Sequence, residues 1–129
     1  MKKAINISLI VLFLIAICTV EQVLAQKYLN SVQTKIDEIY IEMQASSDIN
    51  TTKLISKTSE LENYWTQKES VLCNFVNHKD IEDIGVEINK MQSALKENNK
   101  DQFSQSVDLI KFYLKGYQHV IGISIQNIF

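Results

Sequence analysis

MKKAINISLIVLFLIAICTVEQVLAQKYLNSVQTKIDEIYIEMQ, residues 1–44, decides the fold. Met1-Lys2-Lys3 precede an apolar run, Ala4–Val20, and Glu21-Gln22 follow it. From Ala25 a second pattern takes over: Ala25, Leu29, Val32, Ile36, Ile39 and Met43 recur at 4-3-4-3-4 spacing, the seam of a helix packed against partners. No Gly or Pro separates the two patterns, so they read as one continuous helix. As a helix, the run from Ala4 to Val20 extends about 25 Å against a hydrocarbon core of about 30 Å. It is short but workable as a membrane anchor, with Val23, Leu24 and Ala25 in the interface. Lys2 and Lys3 are the only charges before it, which predicts an N-terminus in the cytoplasm and the rest of the chain outside.

A cleaved signal peptide is the alternative, since Val23-Leu24-Ala25 before Gln26 places acceptable residues at the −3 and −1 positions. Continuity of the seam favours the uncleaved anchor. Either way, residues 1–25 deliver residues 26–129 to the same side of the membrane. Ile15-Ala16-Ile17-Cys18 matches a lipoprotein box poorly, because Ile17 stands where a small residue is wanted. With Cys18 inside the span, no disulfide with Cys73 is expected.

The remainder of the 129-residue chain is one small domain. It has no proline and three glycines, too few breakers for a β-sandwich. All thirteen basic residues are lysine and the net charge is −2 with signs interleaved, which argues against a nucleic-acid surface. Three further stripes follow the first. Leu54, Thr58, Leu61, Trp65, Lys68, Leu72 and Phe75 predict a helix over about 49–75, with Asp48 as N-cap. Ile81, Ile84, Ile88, Met91 and Leu95 predict another over about 81–97, capped by Asn77 or Asp80. Phe103, Val107, Ile110, Leu114, Tyr117 and Ile121 predict the last, capped by Asp101. Short connections imply antiparallel neighbours, hence an all-α, up-down bundle of about four helices continuing from a transmembrane helix. Gly85 is expected to permit close helix approach. Helix two, at about 27 residues and about 40 Å, overshoots the external part of helix one. Its end, Val71–Val76, and the uncharged tail Val120–Phe129 are therefore expected at the outer leaflet or packed on helix one.

Chemistry-bearing residues are sparse. His78 and Glu82 stand four apart and can offer two ligands to a divalent metal, yet two are not a site, and a capped helix N-terminus with Asp80, Glu82 and Asp83 explains them. His119 is isolated, and Cys73 has only the distant Lys68 and His78 near it in sequence. There is no phosphate-binding loop, nucleophile elbow or zinc-type cysteine pair. Glu60, Glu62 and Glu69 read as a solvated face. No metal and no cofactor is expected.

Leu61-Glu62-x-x-Trp65, then Leu72-x-x-Phe75-Val76-Asn77-His78-x-x-Ile81-x-x-Ile84, and the closing Gln126-Asn127-Ile128-Phe129 carry a resemblance. On them the chain resembles a family of short uncharacterised proteins of Gram-positive, largely spore-forming anaerobic bacteria, a domain of unknown function. The resemblance covers nearly the whole chain and implies a single anchor followed by a helical domain. It brings no established activity. It draws attention to Asn77-His78, read first as the lock on the turn before helix three. The expectation is a non-enzymatic, membrane-anchored interaction or envelope-assembly module, associating through helix faces with a protein partner or itself. The runner-up is a ligand- or metal-binding, sensor-like bundle, weakened because no signalling module follows the domain.

Overall fold

The two patterns of residues 1–44 become a single helix. In the computed structural model, which describes residues 1–128 and the side chains of Met1 and residues 3–119, α1 spans Lys2–Ala45. Its 44 residues rise about 66 Å. It is followed by α2 (Thr52–Leu72), α3 (His78–Lys96) and α4 (Lys100–Ile128). The described residues contain helices and turns only. α1 packs on α2 and α4, α2 on α3, and α3 on α4, with no diagonal packing among the described residues. This is the square of an up-down four-helix bundle.

α1 divides where its pattern changes. Every described side chain from Lys3 to Val20 is exposed, and the first buried residue is Ala25. Leu29, Val32, Ile36, Ile39 and Met43 then enter the core, as the seam predicts. One N-terminal helix is thus long and apolar enough to cross a membrane, and its apolar half projects free of the bundle. The opposing stripes bury Leu54, Leu61, Trp65 and Leu72 from α2, Ile81, Ile84, Ile88, Met91 and Leu95 from α3, and Phe103, Val107, Ile110 and Leu114 from α4. Thr58 is buried because its Oγ1 donates back to Leu54 O at 2.8 Å, which removes its hydroxyl from the apolar ledger. Lys68 keeps its place in the stripe by laying its ammonium 4.9 Å from the centre of the Tyr28 ring.

Polar pairs set the register. Lys53 Nζ reaches Glu42 at 2.7 Å and Lys57 Nζ reaches Glu38 at 2.6 Å. Each step along α2 is therefore a step back along α1, and Leu72 comes level with Val23. On the other side Lys111 Nζ reaches Asp37 at 3.0 Å and Gln118 Nε2 donates to Asn30 Oδ1 at 3.2 Å. By the same count the backbone of α4 ends level with Val20. At the far end Lys100 Nζ donates to Ser46 O and ties the two upper connections together.

The boundaries correct two caps and select between the candidates for a third. α2 starts at Thr52, not near Ile49, and its cap is Thr51, whose hydroxyl accepts from Leu54 N at 3.2 Å. Asp48 instead accepts from Asn50 N inside the connection, while Ile49 turns inward and plugs the top of the core. α3 is capped by Asn77, one of the two candidates, through Lys79 N at 3.1 Å. α4 is capped by Asn99, which accepts from Gln102 N, and not by Asp101, which lies in its first turn. Between α3 and α4, Asn98 takes φ 53°, Asn98 N–H donates to Leu95 O and Asn99 N–H donates to Ala94 O. That is a Schellman ending with asparagine in the left-handed position. With 21 residues α2 does not overshoot; the turn after it makes the reach instead. The side chains of the tail from Val120, Ile121 included, and Phe129 lie outside the described residues.

Candidate functional site

The motif residues gather at the base of the bundle, where the exposed half of α1 leaves it. After Leu72 the chain tightens: Asn74 N–H donates to Val71 O, Phe75 N–H to Leu72 O and Val76 N–H to Leu72 O. This ends α2 three residues before Phe75, so Phe75 is a half-buried turn residue packed under the core, together with Val76. Asn77 then caps α3. Trp65 and Ile81 are core residues above the turn. The turn abuts α1: Asn74, Phe75, Val76 and Asn77 line one wall of a cleft of about 400 Å³, and Cys18, Glu21, Gln22 and Ala25 line the other. Cys18 therefore stands level with the turn that follows Cys73, and both thiols are free.

Above this cleft lies a shallower groove of about 740 Å³ along Phe112, Gly116, Tyr117 and His119. Phe112 is 70% exposed, the largest exposed aromatic of the bundle proper.

The turn also makes a contact that sequence spacing did not suggest. His78 Nδ1 lies 3.2 Å from Cys73 Sγ. The residues are five apart, and the chain reversal closes that gap. Burial, then the carboxylates of Glu69 and Glu82, push the Cys73 thiol above its ordinary value. The pair is therefore a proton-bearing thiol against an imidazole, not an activated thiolate. Glu82 is exposed on the first turns of α3. Among the described residues no three His, Cys, Asp or Glu side chains converge as a metal site, so His78 and Glu82 remain two separate candidates.

Two buried polar residues escaped the sequence reading. Glu87 is 5% exposed and holds Lys90 Nζ at 2.7 Å, and Ser106 is buried opposite it across a cleft between α3 and α4. The spacing did contain them. Glu87 falls three after Ile84 and four before Met91, and Ser106 three after Phe103 and four before Ile110, both within the buried arc. Trp65 Nε1 is buried without a hydrogen-bond partner, beneath Gly85, where an added Cβ would stand 3.0 Å from it. Gly85 does what was expected of it: it lets α3 settle on the indole.

Residues 23–128 match the family described as Domain of unknown function (DUF4363). Neither the curated proteins nor the solved structures contain a match to the chain.

Proposed function

The chain belongs to the DUF4363 family, and we propose that it is a membrane-anchored, non-catalytic interaction module whose bundle stands on the outer face of the cytoplasmic membrane. One observation carries this reading: α1 is unbroken from Lys2 to Ala45, exposed and apolar below Val20 and core-forming above Ala25. A helix built this way holds its bundle at a fixed height and orientation over a bilayer. Lys2 and Lys3 orient it with the N-terminus inside. Anchoring confines the bundle to two dimensions and raises its effective concentration toward a partner. Among the described residues from Ala25 on, the faces available for association carry one large exposed apolar residue each: Ile41 on α1, Ile55 on α2, Val86 on α3 and Phe112 on α4.

The test is photo-crosslinking in intact membranes from a benzophenone side chain at each of these four positions. A discrete protein adduct from one face, with the others silent, is the expected result. Lipid adducts alone, or none from any face, would refute the interaction reading.

The Cys73–His78 contact supports a second reading, a weak soft-metal or small-ligand site at the turn. Titration of the full chain with zinc, read as a melting-temperature shift lost in Cys73→Ser, tests it; no shift with zinc or copper excludes it.

A further inference from the structure

We propose that the Asn74–Asn77 turn is a second membrane contact, seated in the headgroup layer of the leaflet that α1 crosses. This rests on the anchor reading of α1 and adds to it a lipid-facing surface on the bundle itself. Depth decides the matter. If the run Ala4–Val20 occupies the hydrocarbon, its upper edge lies at Val20, and the headgroup layer adds about 5–7 Å on each side. The register of Lys53 with Glu42 and Lys57 with Glu38 sets the end of α2, Leu72, level with Val23. That is about 5 Å above Val20 on the helix axis. The turn beyond Leu72 descends further, and the shared cleft confirms its level independently: Phe75 and Val76 face Cys18, which lies inside the apolar run. The turn thus falls at the inner edge of the headgroup layer, where it meets the acyl chains.

Its chemistry suits that layer. Phe75 and Val76 are apolar and only partly covered by the bundle, while Asn74, Asn77 and Lys79 flank them with amides and an ammonium. An aromatic and a branched aliphatic bordered by amides and a lysine fit the boundary between acyl chains and headgroups. The upper part of the bundle stands clear, while the backbone of α4, like the turn, ends level with Val20. Phe112, next to the Lys111 that pairs with Asp37, is level with Ile36 and about 24 Å above Val20. Its exposed ring faces water on this geometry.

Tryptophan fluorescence of the full chain in phosphatidylcholine vesicles, with and without lipid brominated near the top of the acyl chains, separates the alternatives. Native Trp65 is buried well above the membrane and supplies a constant background. Phe75→Trp is expected to lose most of its added emission to the bromolipid, and Asn74→Trp, an exposed position less able to disturb packing, to lose much of it. Phe112→Trp is expected to lose none. Phe13→Trp reports on the anchor itself. If Phe13→Trp is quenched while both turn variants emit unchanged, the second contact is overturned and the anchor stands. If Phe13→Trp is also unquenched, the anchor reading fails and takes the turn with it. Quenching of Phe112→Trp to the same degree would mean that the bundle lies flat, which also refutes the depth assigned here.

Discussion

Gly85 puts the packing of α2 on α3 to a quantitative test. Replacing an interior helical glycine by alanine gains about 1 kcal/mol from backbone entropy alone. At Gly85 the new Cβ meets Trp65 Nε1 at 3.0 Å, closer than nearly all real contacts of that kind, and the indole must give way by a few tenths of an ångström. Trp65 is only 3% exposed and lies among core side chains, so it has little room to give. Overpacking of this kind costs about 1–3 kcal/mol, which exceeds the entropic gain. The expected net effect of Gly85→Ala is a loss of up to about 2 kcal/mol. Gly116 is the control: nothing lies within 4 Å of its Cβ position, so Gly116→Ala shows the gain of about 1 kcal/mol undiminished. Thermal unfolding of the full chain in detergent micelles, followed by circular dichroism, reads the difference, at about 4–8 °C per kcal/mol for a domain of this size. The Trp65→Phe background removes the indole nitrogen, and there the Gly85→Ala penalty should vanish, giving a coupling of about 1 kcal/mol or more. Gly85→Ala stabilising the protein as much as Gly116→Ala would mean that the indole does not confine the new Cβ.

Three further outcomes follow from the caps and pairs. Thr51→Ala should cost about 1 kcal/mol while Asp48→Ala leaves the melting temperature nearly unchanged; the reverse order would return the cap to Asp48. Asn98→Gly should raise stability by a few tenths to about 1 kcal/mol, since φ 53° suits glycine better, and Asn98→Ala should lower it, both read by denaturant titration. Burial raises the Asp37 carboxyl, but the hydrogen bonds from Gln33 and Lys111 outweigh it and hold it below its ordinary value of 3.8. Its contribution is therefore present above that value and lost as pH falls through the lower folded one. Asp37→Asn should lower the melting temperature slightly at about pH 7 and not at about pH 2, and an equal deficit at both would contradict the assignment.

The core was legible residue by residue because apolar spacing follows the period of the helix. All six seam positions of α1, from Ala25 to Met43, are buried, as are all five of α3. What periodicity could not supply was where each helix stops. Phe75 is apolar and in phase with α2, and Ile49 is the first apolar residue after the break at Asp48, so a pattern reading includes both, yet both lie in turns that tuck an apolar side chain under the ends of the bundle. Caps were ambiguous because several Asn, Asp and Thr residues stand together at each break, and only backbone geometry selects Thr51 and Asn99 over Asp48 and Asp101. Cys73 and His78 were judged distant on a helical ruler, and the chain reversal between them brings sulfur and nitrogen together. The motif Trp65, Phe75, Asn77, His78 and Ile81 thus resolves into two kinds of residue. Trp65 and Ile81 fill the core, while Phe75, Asn77 and His78 shape the turn against α1.

In the proposed function the apolar segment and the bundle are one retained helix. Intact-mass spectrometry of the protein from alkali-washed membranes tests it most directly. The expected mass includes the residues from Met1 or Lys2 through the bundle, all of it in the membrane fraction. A chain beginning at Gln26, recovered in the soluble fraction, would contradict it.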